Sequence, residues 1–295
     1  MIRFTTLIVL IVLLASCRDD KKNEPTFEPI SLDFPYKFNQ EIVEKLANDT
    51  VQWKDQLAAA DYATKGEYNS AMSQWDKAMG IQVREIDKNK IDSILAKNRP
   101  IPAKEFILEQ AKKHELTIIN EAHHQPMHRV FTTQLLKALY DNGYRFFGLE
   151  TLNSKDTLLN QRKYPIMDTG WYTLEPQFGS LVREALEIGY VLFPYETERM
   201  GNTSIEDRET DQANNIKAFM ENNHDGKTLL HVGYAHATEG TLKSHGEDQK
   251  WMASKLFDLT GIDPFTINQE VYTEKSAVDK SSPLLQTLSP QSPIV

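Results

Sequence analysis

Short apolar runs alternate with helix-like patterns between residue 101 and residue 273. Runs of strand length lie at residues 116–120, 145–150, 190–196, 228–234 and 265–268. Apolar residues recur near the helical period between them, at residues 127–141, 176–187, 204–222 and 247–259. This alternation is typical of βα units. It predicts an α/β domain with a mostly parallel sheet that helices cover on both faces, which makes three layers.

The residues before this domain show a helical pattern without strand-like runs. Apolar positions near the helical period extend from Ile42 to Ala60, and a second set follows Gly66. The second set, at residues 66–78, resembles half of a tetratricopeptide unit, but stacked repeats need several units to bury their faces. The pattern at residues 36–100 therefore predicts a helical hairpin that packs on the main domain.

Two stretches lack any clear period. Residues 153–173 contain Tyr164, Trp171 and Tyr172, and we interpret them as a long loop over a site or a partner surface. Residues 274–295 are rich in serine and proline, so a disordered tail is predicted there.

The N-terminus has the features of a bacterial targeting segment. Arg3 precedes an apolar run that is too short to span a bilayer permanently, and small residues then lead to Cys17. This order resembles a lipobox, which predicts a signal peptide at residues 1–16, a diacylated Cys17 and a tether at residues 17–35. An ordinary signal peptide with a chance cysteine is the alternative. The predicted location is the bacterial cell envelope, with a lipid anchor in the outer membrane.

Charge and cysteine content narrow the possible partners. The formal net charge is −9 and no basic stripe occurs, which argues against a nucleic-acid partner. Cys17 is the only cysteine, so one chain can form neither a disulfide nor a thiolate metal site. The expected partners are a small-molecule or peptide substrate and the membrane that holds the anchor.

Ionisable side chains follow four successive predicted strands. Ligands of open α/β sheets bind beyond the carboxyl ends of the strands, so these side chains are expected to converge. The candidates, in chain order, are Glu121 and His123, then Glu150, then Tyr195 and Glu196, then Tyr234 and His236. The predicted helix before the fourth strand adds Arg208, either as a clamp for a carboxylate or oxyanion or as a salt-bridge partner of Glu121 or Glu150.

The remaining histidines of this region are weaker candidates. His124 and His128 have the i, i+4 spacing of a zinc-binding helix, but Gln125 replaces the expected glutamate and Pro126 interrupts the helix. We therefore place both at the rim of the site. His231 lies inside an apolar run, which favours a hydrogen-bonded core histidine.

Several short motifs match one superfamily in order and position. They are Asn120-Glu121-Ala122-His123, Leu149-Glu150, the Arg208-Glu209 helix and Gly233-Tyr234-Ala235-His236. Together they resemble the superfamily that includes Tiki and TraB proteins, ChaN-like haem-binding lipoproteins and erythromycin esterases. The resemblance covers about residues 103–270. Asn120 stands where members of this superfamily carry glycine.

The resemblance implies a hydrolase of ester or peptide bonds in one of two forms. The Tiki branch implies that Glu121, His123, Glu150 and His236 hold a divalent metal ion such as Mn, Co or Zn, whose bound water attacks the carbonyl. The erythromycin esterase branch implies a metal-free site. In that site His123 is the general base, Glu121 or Glu150 fixes its tautomer, and His236 or Arg208 stabilises the oxyanion.

The ChaN branch implies a different function, a lipoprotein that binds haem or iron at the cell surface without catalysis. Tyr195 and Tyr234 are then the candidate cofactor ligands. A third interpretation is a structural member that lost its activity when Asn120 replaced the motif glycine. Among these alternatives, the hydrolase is the function that we expect.

Overall fold

The computed structural model describes residues 37–79, 86–199, 203–244 and 247–295. The predicted signal peptide, the lipidated Cys17 and the tether lie outside the described residues and stay predictions. No helix among the described residues combines the length and the apolar character that crossing a membrane requires. The unit from Lys37 to Val295 contains all the elements described below.

The main domain is built on a parallel sheet. Its strands and those of a small hairpin are β1 Leu116–Glu121, β2 Tyr144–Leu149, β3 Val191–Phe193, β4 Lys227–Gly233, β5 Thr241–Ser244, β6 Glu247–Lys250 and β7 Phe265–Ile267. Five strands pair in parallel in the order β3-β2-β4-β1-β7, and β5 pairs antiparallel with β6. The predicted parallel sheet is confirmed.

Four helices precede the main domain and seven belong to it or follow it, within the described residues. They are α1 Asn39–Asn48, α2 Lys54–Thr64, α3 Tyr68–Met79, α4 Lys88–Lys97, α5 Ala103–Ala111, α6 Met127–Asp141, α7 Leu159–Arg162, α8 Pro176–Ile188, α9 Ile205–Asn222, α10 Met252–Thr260 and α11 Pro283–Leu288. The predicted N-terminal helical hairpin is confirmed: α2 and α3 pack together and are joined at Gly66, whose φ is +84°.

Apolar side chains fill both faces of the sheet. Helices α5, α6 and α8 contribute to one buried cluster together with Ile119 and Leu229. Helices α9 and α10 contribute to the other cluster, with Ile118 and Leu230 on the opposite face of the same strands. Because side chains alternate along a strand, neighbouring residues serve different layers, and the continuous apolar runs follow from burial on both faces.

Two predicted segments differ from the structure. Residues 247–259 were expected as one helix, but Glu247–Lys250 forms strand β6 and the helix begins at Met252. Residues 274–295 were expected to be disordered. They contain α11, which Ser282 caps, and the backbone of Val295 exchanges two hydrogen bonds with Ile101, at 3.1 and 3.0 Å. Serine and proline act here as helix-start residues, because a serine cap and a proline in the first turn both favour helix initiation.

The strand ends bring the candidate residues to one edge. In the pairing of β1 with β4, Glu121 lies opposite Gly233. The backbone amide of Glu150 donates to the carbonyl of His231, which keeps the end of β2 level with β4. The sheet therefore delivers Glu121, Glu150 and the Gly233–His236 turn to the same place.

Candidate active site

A fully buried ion-pair network lies at the end of β1. We call Glu121, Arg129, Glu175 and His231 the inner cluster. Arg129 donates to both carboxylate oxygens of Glu121, from Nε at 2.6 Å and from Nη2 at 2.7 Å, and its Nη1 donates to Glu175 at 2.8 Å. Burial opposes the charge on Glu121, but Arg129 and His231 outweigh it and hold the pKa of Glu121 well below its usual range.

The carboxylate of Glu121 uses all its acceptor positions. Oε1 accepts from Arg129 Nη2 and from His123 Nδ1, the latter at 2.8 Å. Oε2 accepts from Arg129 Nε and from His231 Nε2, the latter at 2.8 Å. A carboxylate offers about four lone-pair positions, and all are occupied here. Glu121 therefore orients two imidazoles and has no position left for a metal ion.

Of the histidines described in this site, only His123 is not buried. Its Nδ1 must carry a proton, because the Glu121 carboxylate can only accept. Its ring stacks on Tyr172 at 4.0 Å between centroids and meets the edge of Tyr234 at 4.9 Å. The side chain is 16% exposed. In the neutral ring the bare Nε2 is thus held in a defined direction.

Gly233 lies directly beside that nitrogen. A Cβ atom added to Gly233 would lie 2.6 Å from His123 Nε2 and 2.9 Å from Glu150 Oε2. The backbone of Gly233 is extended, with φ −83°, so space rather than conformation requires glycine here. His123 Nε2 and Glu150 therefore flank one small gap that only a glycine keeps open.

A second network occupies the ends of β2 and β4 and the start of α9. We call Glu150, Glu196, Arg208, Glu209 and His236 the outer cluster. Arg208 Nη2 donates to Glu150 at 2.6 Å and also to Glu196, and Nε of Arg208 contacts both oxygens of Glu196 at 3.1 Å. The Arg208 side chain is 36% exposed. Arg208 and Glu196 thus reach the surface at the mouth of the site, whereas Glu150, Glu209 and His236 are buried behind them.

Glu150 links the outer cluster to the backbone at Gly233. One of its oxygens accepts from Arg208, and the other accepts from the backbone amide of Gly233. Burial raises the pKa of Glu150, but His236, His123 and Arg208 together hold it well below its usual range. An ionised Glu150 therefore faces the gap beside His123.

His236 has a proton-dependent choice of partner. Its Nδ1 lies 2.8 Å from Glu209, while its Nε2 lies 3.3 Å from Glu150 and 3.2 Å from Arg208 Nη1. Burial lowers the pKa of His236, but Glu150 and Glu209 raise it to about 9 overall. The charged ring donates to Glu150, and the neutral ring accepts from Arg208, so loss of the proton changes which bond Nε2 makes.

The predicted metal-ligand set does not fit this geometry. Glu121 is saturated by Arg129 and two histidines, and Arg208 lies between Glu150 and His236. Within the described residues, no three His, Cys, Asp or Glu side chains are grouped so as to hold a metal ion. The four residues converge on one edge, but as partners of two arginines, because each carboxylate is neutralised by a guanidinium.

The predicted haem ligands are also committed elsewhere. The Tyr195 hydroxyl is buried and donates to the carbonyl of His231 at 3.1 Å. The Tyr234 hydroxyl lies 3.3 Å from His124 Nδ1, and Trp75 stacks over both rings. Both tyrosine hydroxyls therefore already have partners within the protein.

The prediction that the neighbouring histidines lie at the rim of the site is wrong, because both lie in the interior. His124 and His128 are buried, and His128 accepts from the amide of Ala122 at 2.9 Å. Burial lowers the pKa of His124 to about 2 and that of His128 to about 4, so both rings are neutral near pH 7. The interpretation of His231 as a hydrogen-bonded core histidine is confirmed by its bond to Glu121.

Asn120 has a structural role that glycine cannot fill. It lies in β1 and is fully buried. Its Nδ2 donates to the carbonyl of Tyr234 at 2.9 Å, and its Oδ1 accepts from the amide of Gln269 at 2.7 Å. Tyr234 has φ +41°, a left-handed conformation that is strained for a tyrosine. Asn120 therefore fastens the turn that carries His236.

Arg129 and Glu175 are the site residues that sequence reasoning missed. Arg129 shares one face of α6 with Thr132, Leu136 and Leu139, all of them buried. An arginine on an apolar helix face must be buried with carboxylate partners, which was a usable signal. Glu175 lies between the predicted loop at residues 153–173 and the predicted helix at residues 176–187, so it was assigned to neither. It caps α8 by accepting from the amides of Gln177 and Phe178, and so belongs to a helix start.

Comparison with known proteins does not assign the chain to a family. No family model matches it, and no curated protein is significantly similar in sequence. Three solved structures resemble parts of it, all at low TM-score. They are RRSP, a MARTX toxin effector domain from Vibrio vulnificus CMCP6 (16% identity, TM-score 0.39), the type III effector HopBA1 (12%, 0.41) and the C-terminal region of Pasteurella multocida toxin (12%, 0.39).

These structural likenesses differ in extent. They cover 74%, 59% and 79% of this chain and 44%, 86% and 33% of the respective other chains. This chain therefore spans less than half the length of the RRSP and Pasteurella toxin chains. At this level, the likeness establishes neither a family nor an activity.

Proposed function

We propose that this chain is a hydrolase of ester or peptide bonds that uses a metal-independent His/Glu site. The observation that carries the proposal is the orientation of His123. Glu121, itself fixed by Arg129, holds the Nδ1–H of His123 and leaves Nε2 bare beside the gap at Gly233. A general base needs this arrangement, in which one nitrogen is oriented and the other faces the reactant.

The nucleophile in this proposal is water. The only cysteine is Cys17, outside the described site. His123 Nε2 takes a proton from water as the water oxygen forms a bond to the carbonyl carbon. When the tetrahedral intermediate collapses, the carbon–oxygen or carbon–nitrogen bond breaks, and the leaving group receives that proton from His123. Proton and charge are balanced without another reactant.

The outer cluster supplies the charge that the intermediate requires. Arg208 is a partly exposed cation at the mouth of the site, and its Nη1 lies 3.2 Å from Nε2 of His236. Both are placed to stabilise a developing oxyanion, a contribution that is commonly worth about 10²–10³ in rate. Glu150 holds Arg208 in place and keeps the protonated form of His236 favoured.

We also propose that the chain belongs to the metal-free branch of this superfamily and that it lies in the bacterial cell envelope. The motifs around Glu121, His123, Glu150 and His236 support the first point, and the lipobox-like order before Cys17 supports the second. Labelled palmitate should enter the protein in a bacterial host, and Cys17→Ser should abolish the label. Incorporation that survives this substitution would reject the lipid anchor.

The direct test compares His123→Asn with His224→Asn in the full chain. His224 is exposed, in the loop before β4 at the opposite edge of the sheet. Against a panel of aryl esters and peptides, His123→Asn should lower kcat/KM about 10²–10⁴-fold, and His224→Asn should leave it unchanged. Chelators should not affect the activity.

Two results would reject the proposal. One is equal activity in the wild type and in His123→Asn. The other is activity that a chelator removes and a divalent metal ion restores. A haem titration of the same samples tests the alternative function, for which a stoichiometric Soret band without hydrolysis is the expected result.

A further inference from the structure

Helix α3 of the N-terminal region contacts the catalytic edge at both ends. Near its start, the Tyr68 hydroxyl donates to Glu175 Oε1 at 3.2 Å. Near its end, the Trp75 ring stacks on His124 at 4.2 Å, and Asp76 accepts from the amide of Ser276 at 2.9 Å. Tyr68 and Trp75 are seven residues apart, which is about two helical turns and places both on one face.

Tyr68 is the outer end of a continuous series of polar contacts that reaches the base. Its acceptor, Glu175, accepts from Arg129 at 2.8 Å through the other oxygen. Arg129 holds Glu121 in a two-point contact, and Glu121 holds Nδ1 of His123 at 2.8 Å. Arg129 Nη2 also donates to the carbonyl of His123 at 3.0 Å. The position of Arg129 therefore fixes both the ring and the backbone of His123.

The Tyr68 hydroxyl is one of four donors that hold the Glu175 carboxylate, together with Arg129 and two backbone amides of α8. Glu175 also caps α8, because it accepts from the amides of Gln177 at 3.0 Å and Phe178 at 2.8 Å. Burial, more than any other factor, raises the pKa of Tyr68, so the hydroxyl stays a donor at every pH of interest. Without this donor, Oε1 of Glu175 keeps only the helix amide, and the carboxylate gains freedom to rotate away from Arg129.

Trp75 acts at a second point, on the turn that carries His236. Its indole lies nearly parallel to the rings of both His124 and Tyr234, at interplanar angles of 10° and 9°. These two rings are joined by the 3.3 Å contact between His124 Nδ1 and the Tyr234 hydroxyl. Trp75 thus covers a pair of side chains, one of which has the strained φ of +41°. Such strain persists only where neighbouring groups hold it.

We propose that α3 is a positioning element of the active site, which acts on His123 through Tyr68 and on the Gly233–His236 turn through Trp75. The inference rests on the proposed hydrolase function for its kinetic consequences, but not for its structural ones. Tyr68 and Trp75 are positioning residues, since they act through Glu175 and through Tyr234. The N-terminal helices are then part of the enzyme rather than a separate binding module.

The first test is Tyr68→Phe, with Tyr62→Phe on α2 as the matched control. Both substitutions remove one hydroxyl from the same helical region. Tyr68→Phe should lower kcat about tenfold with KM nearly unchanged, because misplacement of a base costs rate more than binding. The control should match the wild type.

The same pair of variants is compared by long-range 1H–15N correlation spectra of the histidine rings, which report each tautomer. The wild type should show His123 protonated at Nδ1. Tyr68→Phe should shift or broaden the His123 signals, and Tyr62→Phe should leave them in place.

The second test is Trp75→Phe, with Trp53→Phe as its control. Trp53 belongs to the same helical region and is 57% exposed. Trp75→Phe keeps an aromatic ring but covers less of the His124–Tyr234 pair, so kcat should fall several-fold and the ring signals of His124 should shift. Trp53→Phe should change neither.

The outcomes separate this inference from the proposed function. If the wild type hydrolyses nothing in the panel, the proposed function fails, and the ring spectra of the Tyr68 and Trp75 variants still decide the positioning role. If Tyr68→Phe and Trp75→Phe match their controls in kcat and in the spectra, α3 is no positioning element, whatever the wild type hydrolyses.

Discussion

The inner and outer clusters use the same three residue types, but their arginines differ in exposure. In the inner cluster, Arg129 is fully buried and both oxygens of its partner Glu121 are saturated. In the outer cluster, Arg208 is 36% exposed and shares its donors between Glu150 and Glu196. One guanidinium is enclosed by its partners, whereas the other is open to whatever enters the site.

This difference implies that the inner cluster orients the neighbouring side chains and that the outer cluster stabilises charge. A buried arginine that is satisfied on every side fixes the groups around it, but it has nothing left to offer a substrate. A half-exposed arginine beside a histidine whose pKa is raised to about 9 can meet a developing negative charge. His123 lies between the two clusters, because its Nδ1 donates to Glu121 of the inner cluster and its Nε2 faces Glu150 of the outer cluster.

The largest expected contrast is in stability, between Arg129→Met and Arg208→Met. Arg129→Met leaves Glu121 and Glu175 buried without a counter-charge, which should lower the free energy of unfolding by about 3–5 kcal/mol. Arg208→Met removes hydrogen bonds at a half-exposed site and should cost about 1–3 kcal/mol. Urea unfolding at pH 7 measures both values. Equal losses in the two variants would contradict the division between the clusters.

Activity should show the reverse contrast in samples that remain folded. Arg208→Met should lower kcat about 100-fold, because it removes the exposed cation from the mouth of the site. Arg208→Lys should recover part of this loss, since a point charge remains, whereas Arg129→Lys should recover little of the lost stability, because lysine cannot make the two-point contact with Glu121.

The junction between the clusters gives the second contrast, Gly233→Ala against Gly148→Ala. At Gly233, the added Cβ would meet His123 Cε1 at 2.5 Å and Glu150 at 2.9 Å. At Gly148, it would meet Leu230 and Phe193 at 2.6 Å in the core. Each should cost about 1–3 kcal/mol of stability through overpacking.

Only Gly233→Ala should lower kcat/KM, by about 100-fold. The added Cβ pushes the His123 ring aside, and a misplacement of about 1 Å can cost this much in rate. Gly148→Ala controls for the overpacking itself. Similar activity in the two variants would show that the gap beside His123 is not where the substrate reacts.

The sequence predicted the fold more fully than the contacts within the site. Continuous apolar runs such as residues 116–120 require burial on both faces, and this requirement alone favours a parallel sheet with helices on each side. The tail escaped prediction because its order depends on tertiary contacts. The backbone of Val295 pairs with Ile101, and that of Ser276 with Asp76, far away in the sequence.

The sequence predicted which residues form the candidate site, but not which hydrogen bonds and ion pairs they make. Glu121, His123, Glu150, Arg208 and His236 do converge, because parallel strands end at one edge of the sheet. The partners of Glu121 and His123 depend on Arg129, which reaches Glu121 on β1 and Glu175 at the start of α8. A four-residue metal site and a site with two arginines have the same carboxylates and imidazoles, so the strand ends alone do not distinguish them.

The smallest expected contrast is a pH dependence that only the outer cluster should show. The folded pKa of His236 is raised to about 9, above the value near 6.5 of an unfolded histidine. The stability that its charge contributes is therefore fully present below about pH 6.5 and is lost as the pH rises through 9. His236→Gln should then destabilise the protein most at pH 6, by something of the order of 2 kcal/mol, and least at pH 10.

Urea unfolding of the wild type and of His236→Gln at pH 6, 8 and 10 measures this difference. His224→Gln, exposed at the opposite edge of the sheet, controls for the loss of a histidine as such. A difference that stays constant from pH 6 to pH 10 would mean that His236 is neutral throughout. Its Nε2 would then accept from Arg208 at 3.2 Å at every pH, and Arg208 alone would carry the positive charge at the mouth of the site.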